Sequence, residues 1–311
     1  MPSSFELFKK QLDDAVGMIE QTHVFDNAPL NLPQTVDELV DTQSLLARCD
    51  HVAEKYEATK PVIRIIHHLA CSGGTLISKC ISAMPNVYLL SEVHPFTDLG
   101  IGARKPKYAP SDIVSLTKYA GIPNQKILAG KLFKQAIDEV YQHVTNIGGT
   151  LVLRDHTHAD FSTDQPLPEK STIVELLEET YEVNSVLTIR NPIDAYASLV
   201  KNGWVHFEPQ TFDEYCRRLL CLIEQFNSEQ IFKYEDVVKD PQTQMQNIAT
   251  SLDLPFDETF EDVFGIFKVT GDSGRSADVI GERSSIAPEV IVKESLQSEQ
   301  YEKVMSLKLF S

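Results

Sequence analysis

Hydrophobic residues in the first sixty positions recur at helical spacing. In residues 3–20 they share one face of a helix, at Phe5, Phe8, Leu12, Val16 and Ile19. A stretch rich in Pro and Asn at residues 27–33 ends this pattern, and a second helical pattern follows from Thr35 to Tyr56. Residues 1–60 are therefore predicted to form a helical N-terminal extension.

The pattern changes at Pro61 to short β-rich runs separated by amphipathic stretches. Strands are predicted at Val62–Leu69, Val87–Leu90, Thr150–Leu153, Val186–Ile189 and Ile231–Phe232. Helices are predicted at Thr75–Ala83, Ser111–Ala120, Lys131–His143, Thr172–Tyr181, Asp194–Asn202, Thr211–Phe226 and Pro241–Leu252, with capping boxes at Thr172 and Thr211. Because this alternation is typical of a parallel sheet with crossover helices, residues 61–311 are predicted to form one α/β domain.

Composition places the chain among ordinary globular proteins, with 42% hydrophobic and 23% charged residues. Its 45 Asp and Glu outnumber its 28 Lys and Arg, giving a net charge of -17 that disfavours nucleic acid and anionic membranes as partners. An anionic ligand would therefore need a few local cations, backbone amides and a helix N-terminus.

The five cysteines are odd in number and show neither CxxC nor zinc-like spacing, so we expect reduced thiols. The N-terminus lacks the pattern of a signal peptide, and no apolar run is long enough to cross a bilayer. These features predict a cytoplasmic protein without a membrane partner. The oligomeric state stays open.

The first run with candidate chemistry is a strand, a glycine turn and a helix between Val62 and Ile81. The turn contains Ser72, Gly73, Gly74 and Thr75. Adjacent glycines let backbone amides close around an anion, Thr75 can cap the helix and contact a phosphate, and the helix dipole favours negative charge there. Taken alone, the run could also be a plain turn. No Lys precedes Thr75, so the pattern of ATP and GTP hydrolases is not met.

The second run places Arg190 directly after the strand ending at Ile189, with Ser198 on the helix that follows. Open α/β sheets bind ligands at the edge where their strands end. A guanidinium at this edge can bind a phosphate through two hydrogen bonds, and a hydroxyl can add another. The alternative is a structural ion pair between Arg190 and Asp194.

Together these two runs resemble the PAPS-dependent sulfotransferases, where PAPS is 3′-phosphoadenosine 5′-phosphosulfate and PAP its product. The resemblance implies a P-loop-like three-layer fold in which residues 72–75 bind the 5′-phosphosulfate. It assigns the 3′-phosphate to Arg190 and Ser198, eight positions apart as in the family. Further similarities are the run Tyr234-Glu235-Asp236, and a C-terminal loop that would close over the 3′-phosphate with Gly274 and Arg275.

The sequence departs from the family at Ser72, where many members carry Lys or Arg to stabilise the leaving phosphate. Either catalysis is weakened, another cation substitutes, or a nucleotide binds without turnover. We favour Arg154, at the end of the predicted strand Thr150–Leu153, as the substitute. A basic residue here resembles the tyrosylprotein branch of the family. Lys79 is the second choice.

Sulfuryl transfer to a hydroxyl requires a base. Glu92 follows the second predicted strand, as in the bacterial and tyrosylprotein branches, and we place it ahead of His94. His156 and His158 could line the acceptor pocket or act as the base themselves. No metal is expected, because this donor does not need one and the nearby ligand set is unspecific.

The sequence therefore predicts sulfation of a small-molecule or peptide hydroxyl, with PAPS as co-substrate and Glu92 as base. Two other functions stay open. A non-catalytic PAP- or PAPS-binding protein is suggested by Ser72, and an ATP-dependent small-molecule kinase is disfavoured by the missing loop lysine.

Overall fold

The computed structural model describes residues 9, 10, 13, 60–98, 109–271, 279–281 and 287–310. From Lys60 onward the described chain forms one compact unit. Most of the predicted extension of residues 1–60 lies outside the described residues, so its boundary stays a prediction. Gly274 and Arg275 lie outside them as well.

A central sheet of five parallel strands organises the domain. The strands are β1 (Val62–His68), β2 (Val87–Val93), β3 (Thr150–Asp155), β4 (Glu182–Ile189) and β5 (Ile231–Lys233). They are arranged in the order β2-β3-β1-β4-β5. All five strands overlap the β-rich runs of the sequence, and the prediction of an α/β fold with a central parallel sheet is confirmed.

Helices connect the strands and follow the last of them. They are α1 (Gly74–Ser82), α2 (Ile113–Tyr119), α3 (Gln125–Asn146), α4 (His158–Phe161), α5 (Thr172–Leu177), α6 (Pro192–Asn202), α7 (Phe212–Ile223), α8 (Tyr234–Lys239), α9 (Pro241–Ser251), α10 (Phe260–Val263), α11 (Glu289–Ser295) and α12 (Glu299–Ser306). The described residues include no helix long and apolar enough to cross a membrane.

Two helix starts were predicted to be capping boxes, and neither is complete in the structure. Thr211 is the N-cap of α7 and its hydroxyl accepts the Glu214 amide at 3.2 Å, but the Glu214 carboxylate binds Arg217 and Arg218, and the Thr211 amide donates to the Pro209 carbonyl instead. The prediction for Thr172 is wrong. This residue is the first of α5, and its amide and hydroxyl both bind the Asp160 carboxylate.

The sheet is covered by helices on both faces, which gives the three-layer arrangement. Ile66 on one face belongs to a buried cluster with residues of α1 and α9. Ile65 on the other face packs with residues of α3 and α5, and Leu187 with residues of α6 and α7. Burial of these side chains on both faces is the main stabilising contribution to the sheet.

The strand order brings several polar side chains to one edge of the sheet. β3, β1 and β4 are neighbours, and at their carboxyl ends lie Arg154, His68 and Arg190. β2 ends beside β3 and contains Glu92. Because parallel strands end together, residues up to 122 positions apart in sequence, from His68 to Arg190, meet at this edge.

The turn between β1 and α1 depends on its two glycines. Gly73 has φ 82°, and a Cβ on it would lie 2.1 Å from the Tyr234 ring. A Cβ on Gly74 would lie 2.4 Å from the His68 ring. Gly73 is the N-cap and makes no side-chain bond, so the prediction that Thr75 caps this helix is wrong. The loop is held between two rings, and only glycine fits there.

We expect Gly73→Ala to destabilise the protein more than Gly203→Ala. Both positions have positive φ, but a Cβ on Gly203 would meet no atom within 4 Å. At Gly203 only the backbone strain of alanine at positive φ should lower the free energy of unfolding, by roughly 1–2 kcal/mol, or about 2–8 °C in Tm. At Gly73 the steric contact of the new Cβ with Tyr234 should lower it further. Thermal unfolding of both variants measures the difference, and equal losses of Tm would contradict it.

Candidate active site at the carboxyl edge of the sheet

Arg154 lies at the centre of the site and is 2% exposed. It connects segments that are distant in sequence: the end of β1, the end of β2, the start of α1 and the chain at Thr270. Its guanidinium donates to His68 Nε2 (2.6 Å), Ser91 Oγ (3.0 Å), the Thr270 carbonyl (3.1 Å) and Thr75 Oγ1 (3.3 Å), and lies 2.7 Å from Glu92 Oε1. A buried guanidinium is tolerated only with acceptors of this kind.

Glu92 bridges Arg154 and His156. Its Oε1 binds Arg154, and its Oε2 accepts a hydrogen bond from His156 Nδ1. Burial by itself would raise the pKa of Glu92, but the hydrogen bond from His156 and the positive charge of Arg154 outweigh it and lower that pKa to about 2. Glu92 is therefore ionised at neutral pH. Glu92 has a φ of 60° and lies between Leu90 and Val93, where the regular pairing of β2 with β3 is interrupted.

His68 is a neutral imidazole in this arrangement. Burial and the Arg154 charge lower its pKa from 6.5 to about 4. Its Nδ1 lies 3.0 Å from the Leu69 carbonyl, which can only accept, so Nδ1 carries the proton. Nε2 is then the acceptor for Arg154. His68 was not among the site residues predicted from the sequence, although it ends the strand that leads into the glycine turn.

The loop has a second arginine on its other side. Arg190 Nη1 donates to the Cys71 carbonyl at 3.3 Å, and the guanidinium lies 5.2 Å from the centre of the Tyr234 ring. Arg190 Nε is buried, and no hydrogen-bond partner for it occurs in the described part of the chain. Such an atom is suited to a polar ligand.

Ser198 reaches the same loop through Asn202. Asn202 Nδ2 lies 3.5 Å from Ser198 Oγ and 3.8 Å from Cys71 Sγ, and it donates to the Ser198 carbonyl at 2.7 Å. Cys71 thus contacts both Arg190 and Asn202. The structure brings the two predicted phosphate-binding side chains to one side of the turn, next to the residue that precedes Ser72.

The Tyr-Glu-Asp run supports both the loop and Arg190. Tyr234 is buried between the Gly73 backbone and the Arg190 guanidinium. The neighbouring Glu235 accepts a hydrogen bond from the Asn191 amide at 2.9 Å. This run therefore fixes the end of β4 relative to the loop.

The two other predicted histidines differ in their surroundings. His94 accepts from the Phe96 amide through Nδ1 (3.2 Å) and pairs with Asp160 through Nε2 (3.0 Å), so both ring nitrogens are engaged. His158 is buried, and its Nδ1 has no partner among the described residues. Burial, together with the charges of His156 and His206, lowers the pKa of His158 to about 3. Of the four predicted base candidates, Glu92 and His156 form the pair beside Arg154.

The first turn of α1 adds to the positive potential of the loop. No acidic residue lies in that turn, and the first amides of a helix have no acceptor within the helix. Within the described ranges, no group of three or more His, Cys, Asp or Glu is placed to bind a metal ion. The arrangement can bind an anion between two guanidinium groups and can accept a proton at Glu92 or His156.

A cavity of about 700 Å³ lies elsewhere, beside the first half of β4. Val183, Ser185 and Phe226 contribute to its wall. It does not touch the glycine turn, Arg154 or Arg190, so it is separate from the site described here.

Sequence analysis also missed the contribution of the chain at Thr270. The Thr270 carbonyl accepts from Arg154 and from Ser91 Oγ (3.0 Å), and Thr270 Oγ1 donates to the Ser91 carbonyl (2.5 Å). A Cβ on Gly271 would lie 2.6 Å from Glu92 Oε1. Gly271 stands three positions before Gly274 of the predicted C-terminal loop, so this loop begins beside the site.

No protein-family model matches the sequence, and no curated protein sequence matches it. The chain is similar in structure to several solved sulfotransferases. One is the sulfotransferase domain from the curacin biosynthetic pathway, with 16% identity over 82% of this chain and 99% of that chain and a TM-score of 0.48.

Two further structures are similar. The sulfotransferase domain from the Synechococcus PCC 7002 olefin synthase has 17% identity, a TM-score of 0.42, and covers 79% of this chain and 96% of its own. Mouse sulfotransferase SULT7A1, complexed with PAP, has 12% identity, a TM-score of 0.42, and covers 82% of this chain and 90% of its own. At such low identity, only the residues of this chain's own site bear on its chemistry.

The lowered pKa of His158 predicts loss of stability in mild acid. Between its ordinary pKa of 6.5 and about 3, the unfolded chain binds a proton that the folded protein does not, so stability falls as the pH falls. Between pH 7.5 and pH 5, His158 should lower the free energy of unfolding by roughly 2 kcal/mol. We expect His158→Gln to lack this contribution, so that its free energy of unfolding falls by about 2 kcal/mol less than that of the wild-type protein. Thermal unfolding of both proteins at the two pH values measures the difference.

The matched control is His143→Gln, on the exposed side of α3. It should show the same acid-induced loss of Tm as the wild-type protein. If His158→Gln is as acid-sensitive as His143→Gln, then burial of neutral His158 does not contribute to the pH dependence of stability.

Proposed function

We propose that the protein transfers a sulfuryl group from PAPS to an acceptor hydroxyl. The observation that supports this best is the glycine turn at the N-terminus of α1, with Arg154 bound to Thr75 on one side and Arg190 bound to Cys71 on the other. Two fixed cations beside free helix amides suit a ligand with two separate anionic groups. PAPS has such groups at its 5′ and 3′ positions.

The two sides of the loop would bind different parts of the donor. We assign the 5′-phosphosulfate to residues 72–75 and Arg154, and the 3′-phosphate to Arg190 and Ser198. The buried Nε of Arg190, without a partner in the described chain, would donate to a phosphate oxygen. Gly274 and Arg275 remain predicted contributors to the 3′-phosphate site.

In the proposed reaction the acceptor oxygen attacks the sulfur atom, and the bond from sulfur to the bridging phosphate oxygen breaks. The acceptor proton passes to the base, and the electron pair of the broken bond stays on the phosphate of PAP. Arg154 stabilises the negative charge that develops there. We propose Glu92 as the base, because its carboxylate lies beside Arg154 at the edge that would face the donor. The lowered pKa of Glu92 makes it a weak base, and this favours the second candidate.

A second candidate base is His156. Because its Nδ1 donates to Glu92, the imidazole is oriented, and Nε2 has no hydrogen-bond partner among the described residues. Orientation of an imidazole by a carboxylate is a common arrangement in general-base catalysis. In this alternative Glu92 orients His156 and stabilises its protonated form.

The rival function is PAP or PAPS binding without turnover. It is supported by Ser72, which stands where many sulfotransferases have a cation. Incubation with PAPS and a panel of phenols, alcohols and hydroxyl-containing peptides, followed by measurement of PAP, separates the two functions. Release of PAP that depends on an acceptor supports the enzyme. A requirement for ATP and Mg²⁺ would indicate the kinase alternative.

We expect Arg190→Ala to weaken PAP binding about 10- to 100-fold, measured by calorimetry without magnesium. This loss of affinity corresponds to the free energy of one hydrogen bond between charged groups, roughly 1.5–3 kcal/mol. Lys134→Ala is the control, because Lys134, on α3, carries the same charge and forms an ion pair with Glu179. Equal affinity of Arg190→Ala and Lys134→Ala for PAP would remove Arg190 from the donor site.

Glu92→Gln should lower turnover by roughly two to four powers of ten, because an amide keeps the shape but cannot take the proton. His156→Gln, assayed with the same acceptor, is the companion variant. If Glu92 is the base, the rate with His156→Gln falls less. A nearly active Glu92→Gln together with an inactive His156→Gln would assign the base to His156.

A further inference from the structure

Arg154 Nε donates a short hydrogen bond of 2.6 Å to His68 Nε2. A guanidinium can donate from Nε and from its two Nη atoms. The Nη atoms of Arg154 contact Ser91, Thr75, Glu92 and the Thr270 carbonyl. His68 is the acceptor for Nε, so it fixes the plane of the guanidinium and the direction of its Nη2 edge.

The surroundings of His68 make it a neutral acceptor. Its proton is on Nδ1, bound to the Leu69 carbonyl, and its ring is 5% exposed and packs against the backbone of Gly74. The neighbouring Glu92 carboxylate is 3.9 Å from Nε2. A neutral acceptor holds Arg154 without adding a second negative charge to that of Glu92, which already pairs with the guanidinium.

We propose that His68 is a positioning residue that aims the Nη2 edge of Arg154 at the anion loop. This inference rests on the proposed sulfuryl transfer. Nη2 contacts both Thr75 Oγ1 and Glu92 Oε1, so the same edge faces the donor site and the candidate base. Loss of the bond at Nε would let the guanidinium turn about its own side chain, and both contacts would weaken.

The test compares two replacements of His68 in the full-length protein. His68→Phe keeps a ring against Gly74 but removes the acceptor, whereas His68→Gln supplies a side-chain oxygen as acceptor. We expect kcat for PAPS-dependent transfer to fall about 10- to 100-fold in His68→Phe, with a smaller change in KM for PAPS, and to recover largely in His68→Gln. Equal loss of kcat in both variants, in parallel with Tm, would overturn the proposal.

A double-mutant cycle connects the effect to Arg154. Arg154→Lys has no Nε–H group, so His68→Phe should change the rate of the Arg154→Lys protein less than threefold. If His68→Phe has its full effect in that background, His68 acts on something other than Arg154 and the proposal fails.

A third measurement does not depend on turnover. In ¹H–¹⁵N spectra of arginine side chains, the Nε–H signal of Arg154 is identified by its loss in Arg154→Lys. We expect this signal to be protected from exchange with water in the wild-type protein and in His68→Gln, and unprotected in His68→Phe. If the protein does not transfer sulfate but the signal depends on His68, only the proposed function fails. If transfer occurs but the signal is the same in all three proteins, the positioning role fails.

Discussion

The buried charge of Arg154 is the constraint on which this edge of the sheet depends. A guanidinium that is almost fully removed from water is stable only when each N–H group has an acceptor, and breaking such a set by removing one member is strongly destabilising. The acceptors come from β1, β2, α1 and the chain at Thr270. Arg154 therefore connects four separate segments, and the loop, the carboxylate and the guanidinium are placed by a single set of contacts.

This local arrangement would let a protein with a net charge of -17 bind the anionic donor that we propose. Long-range attraction cannot bring such a ligand to the surface, because the overall field has the wrong sign. Under the proposed function, binding would come from short-range contacts with two guanidinium groups and a helix N-terminus. Affinity in such a site depends on geometry more than on total charge. A change of rotamer in either arginine would therefore weaken binding.

Much of the fold could be predicted from sequence, because buried strands and amphipathic helices leave a clear periodic signal. All five strands lie where β-rich runs occur, and the glycine turn was recognised. The meeting of Arg154 with Glu92 was expected only in outline, from the rule that parallel strands end at one edge. Short helices such as α4 and α8, and the helices after residue 287, gave too few turns of periodicity to be predicted.

The finer features of the site were beyond sequence reasoning for physical reasons. The role proposed for His68 depends on which of its two nitrogens holds the proton, and that is decided by Arg154, distant in sequence, and by the local carbonyl of Leu69. His94 and His156 have the same side chain, yet only the contacts of the folded protein distinguish a ring with both nitrogens engaged from one paired with Glu92. Thr172 is displaced from its expected capping position because Asp160 binds it.

The close packing of Gly271 on Glu92 has a consequence for the direction from which a second substrate can approach. Oε1 is enclosed by the guanidinium of Arg154 and by backbone at Gly271, which leaves no room even for a methyl group. The accessible side of the carboxylate is then Oε2, where the partly exposed imidazole of His156 lies. An incoming hydroxyl would meet this ring first, so the shape of the surface around His156 would select among acceptors.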